Sequence, residues 1–123
     1  MPFHDVEQIL QSLVNDTADV QLAMVVTKDG LPLSYQGSSD DFDLTAAIYI
    51  ELEIICNKLL SELGLGMAEQ FFFRAKHGCV VIWPIDGVGL LACMAKNSVD
   101  ANLMQMKAWR AVSSLRKLQQ FAG

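Results

Sequence analysis

A histidine and a cysteine separated by one glycine are the residues of this chain that most resemble a metal site. His77-Gly78-Cys79 offers an imidazole and a thiol at a predicted turn, and these are ligand types that zinc prefers. A structural zinc site needs a second pair of ligands at similar spacing, and the sequence contains none. We therefore interpret His77 as a turn residue beside a buried thiol and predict no bound metal.

Three aspartates, Asp40, Asp41 and Asp43, stand close enough together to suggest paired carboxylates for acid-base catalysis. They precede a long apolar segment, however, where a carboxylate commonly caps the first N–H groups of a helix. No nucleophile with an adjacent base accompanies them, and the sequence lacks the GxSxG, HExxH and GxxxxGK[ST] motifs. The sequence therefore predicts no catalytic residue, no cofactor and a protein that is not an enzyme.

The cysteines, the length and the apolar runs limit the classes of protein to which this chain can belong. Cys56, Cys79 and Cys93 form no CxxC pair, and their odd number favours buried thiols in a reducing compartment. No apolar run approaches the roughly 20 residues of a membrane span, and the start lacks a basic region before an apolar one. We expect a cytoplasmic protein without membrane insertion, folded as one domain over residues 1–123, in which 52% of residues are hydrophobic.

The charges are divided unevenly along the chain. Residues 1–69 carry 12 acidic and 2 basic side chains, a net charge of -10, whereas residues 70–123 carry 2 acidic and 7 basic ones, a net charge of +5. The overall charge of -5 predicts no nucleic-acid partner. The division indicates either acidic and basic elements that lie side by side in one fold or a polarised surface that steers a partner.

Hydrophobic periodicity and turn residues predict the order of elements. Apolar residues at helical spacing predict a first helix over residues 3–16. Two strands follow at residues 20–27 and 31–36, joined by a turn at Lys28-Asp29-Gly30. Pro32 places the second strand at a sheet edge. A helix over Asp43–Leu63, three strands (EQFFFRAK, CVVIWPI and VGLLACMA) and a helix over residues 98–119 complete the chain. The fold class is an α/β/α sandwich (α+β) on a five-stranded antiparallel sheet.

The middle helix has two apolar sides, which is unusual for a small domain. We expect the wider side to pack on the sheet; it consists of Leu44, Ile48, Leu52, Ile55, Leu59 and Leu63. The narrower side has no predicted partner in the chain; it consists of Ala46, Ala47, Ile50, Ile54 and Ser61. A helix with a second apolar side is either enclosed in the core or docked on another chain.

The strand with three consecutive phenylalanines also needs cover on both faces. Neighbouring side chains of a strand point to opposite faces, so Phe71 and Phe73 share one face and Phe72 projects from the other. In the last helix, Met106 and Trp109 fall off the predicted core face. They either pack under the first helix or form an exposed contact.

Two stretches resemble a known family. VQLAMVVTKDGLPLSYQG is similar to the opening hairpin of Roadblock/dynein light chain domains, and FFFRAKHGCVVIWPIDGVGLLACMAKNS is similar to their three-strand meander. The resemblance covers about residues 3–119. It implies the strand order second, first, fifth, fourth, third, which leaves the Phe71–Phe73 strand at a free edge.

In this family the edge strand pairs with its copy across a two-fold axis, and the middle helices meet beside it. The resemblance therefore implies a homodimer. The interface residues that it implies are Ala47, Ile50, Ile54, Phe71, Phe72, Phe73 and Arg74.

The family also implies a function. Bacterial members, which include regulators of gliding motility, bind a small Ras-like GTPase and influence its nucleotide cycle, while eukaryotic relatives serve dynein or GTPase-scaffold complexes. The chain is thus expected to be a non-enzymatic GTPase regulator; the alternatives are a passive scaffold subunit of a motor or signalling complex and a small-molecule sensor domain. The implied docking strip is formed by Ile50, Glu53, Ile54, Asn57 and Lys58, unless the twin helix buries it entirely.

Overall fold

Three helices and five strands follow one another in the predicted order. The structure is a computed structural model that describes residues 4–16, 20–96 and 101–118. The helices are α1 (His4–Asp16), α2 (Phe42–Glu62) and α3 (Ala101–Arg116). The strands are β1 (Val20–Thr27), β2 (Pro32–Gly37), β3 (Phe71–Ala75), β4 (Gly78–Ile85) and β5 (Gly89–Lys96). The predicted contribution of Phe3 to α1 and the predicted start of α3 at residues 98–100 lie outside the described residues.

The five strands form one antiparallel sheet in the order β2-β1-β5-β4-β3. Both the fold class and the strand order implied by the family resemblance are confirmed. β2 pairs with β1 alone, and Pro32 lies opposite Val26, next to an irregularity in the register. An edge strand tolerates this proline because one side of its backbone needs no donor for the ladder. The opposite edge of the sheet is β3.

The sheet carries a hydrophobic core on each face, because successive side chains of a strand alternate between faces. Val25 of β1 points towards α1 and α3, whereas its neighbour Met24 points towards α2. The core on the α1–α3 side includes Val6, Leu10, Val81, Met104 and Leu115. The core on the α2 side includes Leu22, Met24, Ala46, Ile50 and Phe71.

Of the three aspartates near the start of α2, Asp41 caps the helix. The carboxylate of Asp41 accepts a hydrogen bond from the backbone N–H of Leu44 at 3.0 Å. Asp41 has extended backbone angles, as a helix N-cap requires, and α2 begins at Phe42, one residue earlier than predicted. The helix ends before Gly64, whose positive φ of 72° suits the left-handed turn that follows many helices.

The prediction of which side of α2 packs on the sheet was wrong for five of its six residues, and only Leu52 packs against the core beneath α2. Ile50 is only 8% exposed and Ala46 is fully buried, although both belong to the side that was expected to lack a partner. On the side that was expected to be buried, Ile55 is 64% exposed and Leu59 is 59% exposed. The small Ala46 side chain lets the helix backbone approach a sheet face that already carries bulky residues such as Met24, so the narrower side fits there.

No helix within the described ranges has the length and apolar character needed to cross a bilayer.

Gly89 offers a test of the sheet geometry. Its φ is 152°, and an added Cβ would lie against the carbonyl oxygen of Val26 on the neighbouring strand. We expect Gly89→Ala to lower the free energy of unfolding by about 2–4 kcal/mol through backbone strain and overlap. Urea denaturation of the variant measures the change.

Gly87→Ala is the matched control, because Gly87 also has a positive φ, of 79°, but an added Cβ there would meet no atom within 4 Å. It should cost only about 1–2 kcal/mol, the strain of a left-handed backbone. Equal losses in the two variants would contradict the tight crossing of β5 and β1 at Gly89.

Candidate interaction surface

The edge of β3 is open along its outer side. β3 pairs with β4 through Phe71↔Ile82 to Ala75↔Gly78, and no other described strand lies beside it. Its outward N–H and C=O groups therefore form a template on which another strand can add. Phe73 is 40% exposed, and the Arg74 guanidinium lies 5.8 Å from the centre of the Phe72 ring. An edge this apolar favours association with a second chain.

The exposed side of α2 carries a row of aliphatic side chains, which we call the outer stripe. At 100° per residue its members fall within an arc of about 100°. Each is more than half exposed; they are Leu44, Ile48, Ile55, Leu59 and Leu63. Five large exposed aliphatic residues on one helix form a patch of the kind that marks a protein interface.

The outer stripe and the β3 edge lie on the same flank of the protein. Leu59 and Leu60 share a groove of about 580 Å³ with Phe71 and Phe73. The other flank of α2 faces the β1–β2 turn, since a methyl group added at Gly30 would lie 3.5 Å from the Cα of Ala47. The edge and the stripe therefore meet at Leu59.

The predicted docking strip does not form a single exposed surface. Ile50 is buried against the sheet, and the side-chain oxygen of Asn57 accepts a hydrogen bond from the backbone N–H of Ala68 at 2.8 Å. Glu53 is half-buried; burial raises the pKa of its carboxyl, and its Oε2 is enclosed without a hydrogen-bond partner in the described part of the chain. Only Ile54 and Lys58 of the strip are exposed.

The remaining helix residue of the predicted interface, Ala47, is partly buried near the β1–β2 turn. Sequence reasoning missed the outer stripe as an interaction surface because it assigned those residues to the core. A usable signal was present in the size of the side chains: Ala46 and Ala47 mark the side on which a helix can approach a sheet closely.

The thiols and the histidine turn do not assemble a reactive site. Cys79 and Cys93 are buried, and burial raises the pKa of the Cys93 thiol to about 12, so it stays protonated at neutral pH. The Cys79 sulfur contacts the Met104 sulfur at 3.4 Å. His77 is exposed at the β3–β4 turn. No three potential metal ligands of the His, Cys, Asp and Glu types come together in residues 4–16, 20–96 and 101–118.

The alternatives left open for Met106 and Trp109 are resolved in favour of exposure. Met106 is 43% exposed, and Trp109 is 44% exposed and contacts Trp83 with a ring-centre distance of 5.0 Å. Neither belongs to the core on the α1–α3 side.

Solved structures of similar shape come from several bacteria. Myxococcus xanthus MglB has a TM-score of 0.89 at 16% sequence identity, and the match covers 98% of each chain. The gliding protein MglB from Thermus thermophilus has a TM-score of 0.88 at 13% identity, covering 98% of this chain and 93% of that one. A Roadblock/LC7 domain from Streptomyces avermitilis has a TM-score of 0.81 at 21% identity, covering 89% and 93%. At these identities the likeness shows a shared fold.

Sequence comparison assigns the family directly. No curated protein sequence matches the chain. The family model of the Roadblock/LC7 domain, in contrast, matches residues 6–95, which include the first of the two stretches on which the resemblance rests and all but the last three residues of the second. The chain therefore belongs to the Roadblock/LC7 domain family.

Proposed function

We propose that this protein is a homodimeric, non-enzymatic regulator that binds a small Ras-like GTPase and modulates its nucleotide cycle. The observation that carries the proposal is the apolar surface of the open β3 edge and the outer stripe of α2, which meet at Leu59. The Roadblock/LC7 family is regulatory in general, and the similar structures include MglB gliding proteins. The described residues accordingly serve binding, and none is assigned a catalytic role.

A two-fold axis beside β3 is the arrangement that satisfies the open edge. Antiparallel pairing of β3 with its copy would join two five-stranded sheets into one and give the outward N–H and C=O groups partners. The same axis would bring the two outer stripes together, because they lie on that flank. Stable homodimer interfaces commonly bury about 2,000 Å² or more in total. The proposed interface consists of Phe71, Phe72, Phe73 and Arg74 with the outer stripe.

This interface differs on the helix from the one that the resemblance implied. Ile50 packs on the sheet of its own protomer, and Ala47 lies near Gly30, on the flank away from β3. Leu59 and its neighbours in the outer stripe take their place in the proposal. The strand residues are unchanged.

The dimer proposal predicts that acidic residues in the outer stripe prevent association. Ile55→Glu combined with Leu59→Glu would place two carboxylates from each protomer in an apolar interface, at a cost of several kcal/mol for each unpaired charge. Both side chains are exposed within the protomer, so the fold should persist. Sedimentation equilibrium should give the mass of a monomer for this variant and of a dimer for the native protein.

Leu31→Glu is the matched control, because Leu31 is 59% exposed but lies at the β1–β2 turn, away from β3. It should leave the dimer intact. A double variant that keeps the native sedimentation mass would remove the outer stripe from the interface.

For the GTPase we propose the flank of α2 that the dimer leaves open. Ile54 and Lys58 are exposed there, one turn apart, and Glu51 is exposed beside them. A protein docking site typically has an apolar core, here Ile54, and a charged rim, here Lys58 and Glu51. A regulator without catalytic side chains acts on a GTPase only by binding its nucleotide states with different affinities. Ile50, Glu53 and Asn57, which were expected in this strip, would support it from below.

Calorimetry with a Ras-like GTPase from the same organism tests this proposal. The native dimer should bind two forms of the GTPase, one loaded with a non-hydrolysable GTP analogue and one loaded with GDP. The two affinities should differ at least about tenfold, which corresponds to about 1.4 kcal/mol. Ile54→Ala with Lys58→Glu should abolish binding while the sedimentation mass of the dimer is unchanged.

The control for charge is Lys117→Glu, since Lys117 is exposed after α3, on the opposite face of the sheet. It should bind as the native protein does. Equal affinity for both nucleotide states would favour a passive scaffold, and the absence of binding would reject the GTPase as a partner.

A further inference from the structure

A groove of about 850 Å³ lies where the end of β4, the outer side of α3 and the loop after α2 meet. Its position separates it from the proposed docking flank of α2, because α3 covers the opposite face of the sheet, but Met67 and Glu69 also line the groove beside the β3 edge. Side chains from all three elements line it: Met67, Glu69, Trp83, Pro84, Trp109 and Arg116. Asp86, in the turn after β4, adds a second carboxylate.

Two indole rings dominate the groove. Trp83 and Trp109 are the protein's two tryptophans, and their ring centres are 5.0 Å apart with planes inclined at 45°. Trp109 is substantially exposed, and Met67 beside it is more exposed still. Large aromatic side chains held rigidly by a neighbouring ring are typical anchors of binding energy.

The basic residue of the groove is already engaged. The Arg116 guanidinium lies 5.7 Å from the centre of the Trp109 ring and donates a hydrogen bond to the backbone carbonyl of Pro84 at 2.8 Å. Glu69 and Asp86 are exposed and form no ion pair with a described residue. The groove lining carries two carboxylates and one guanidinium, so its net charge is negative.

One side chain of the groove wall holds an enclosed hydrogen-bond donor that has no acceptor. The indole Nε1–H of Trp83 is enclosed and finds no partner in the described ranges. A buried donor without an acceptor costs free energy, so a ligand carbonyl that reaches it would be favoured. The Nε1 atom is enclosed, so side chains around the indole must move before a ligand carbonyl can reach it.

We propose that this groove binds a proline-rich segment of a partner protein that carries a basic residue beside the prolines. A polyproline II segment has no internal hydrogen bonds, so its carbonyl groups are free to accept from an indole N–H. Its pyrrolidine rings pack well on inclined aromatic faces, which is how aromatic-lined grooves recognise such segments. Glu69 and Asp86 would pair with the lysine or arginine of the ligand.

Peptide titration of the native protein tests the proposal directly. The probes are a decaproline peptide, the same peptide extended by two arginines, and a Gly-Ser peptide of equal length with the same two arginines. Because both tryptophans line the groove, intrinsic fluorescence reports its occupancy without background from other indoles. Both proline peptides should shift the emission saturably, and the arginine-containing one should bind at least about threefold more tightly.

Variants separate the two kinds of contact. Trp109→Ala should weaken binding of the proline peptides at least about tenfold by calorimetry, the effect expected of an aromatic anchor. Met106→Ala is the matched control, because Met106 is equally exposed on α3 but does not line the groove.

Glu69→Gln with Asp86→Asn should reduce the affinity for the arginine-containing peptide to that for decaproline. Circular dichroism confirms that each variant is folded.

Three outcomes would overturn the proposal. One is no change in emission with either proline peptide up to about 1 mM, the weak limit of specific recognition. The second is equal binding of the Gly-Ser peptide, which would reduce the groove to a site of charge attraction. The third is a folded Trp109→Ala variant that binds as tightly as the native protein.

Discussion

The open edge of β3 is the constraint on which the rest of this structure depends. The outward N–H and C=O groups of this five-residue strand face no other described strand. Phe71 of the same strand, however, is part of the core beneath α2. The strand therefore cannot move away from the sheet to avoid exposure. An edge fixed in this way favours pairing with another strand, and the apolar side of α2 on the same flank enlarges the exposed apolar surface.

Much of the fold could be predicted because its signals are local. The turn at Lys28-Asp29-Gly30 marks a hairpin, and Pro32 marks an edge. The choice of face for α2 could not be predicted in the same way. Periodicity shows that a helix has two apolar sides, but it does not show which side fits the surface of the sheet. The narrower side fits because Ala46 is small, and the aliphatic side is left outside.

The candidate surfaces depend on contacts between residues that are distant in the sequence. The position of β3 at the edge came from the family resemblance, since no local signal specifies which strands of a sheet are neighbours. The contact of Trp83 with Trp109 joins β4 to α3, and it explains why Trp109 lies off the core face of its helix. From the sequence alone, an apolar residue off the core face could be either covered or exposed.

The loop between α2 and β3 belongs to both sides of the molecule. The hydrogen bond from its Ala68 N–H to Asn57 ties it to α2, while Met67 and Glu69 form part of the groove beside α3. If the loop has two positions and a ligand on each face prefers one of them, the two faces are thermodynamically linked. Each ligand then changes the affinity of the other face by the same factor.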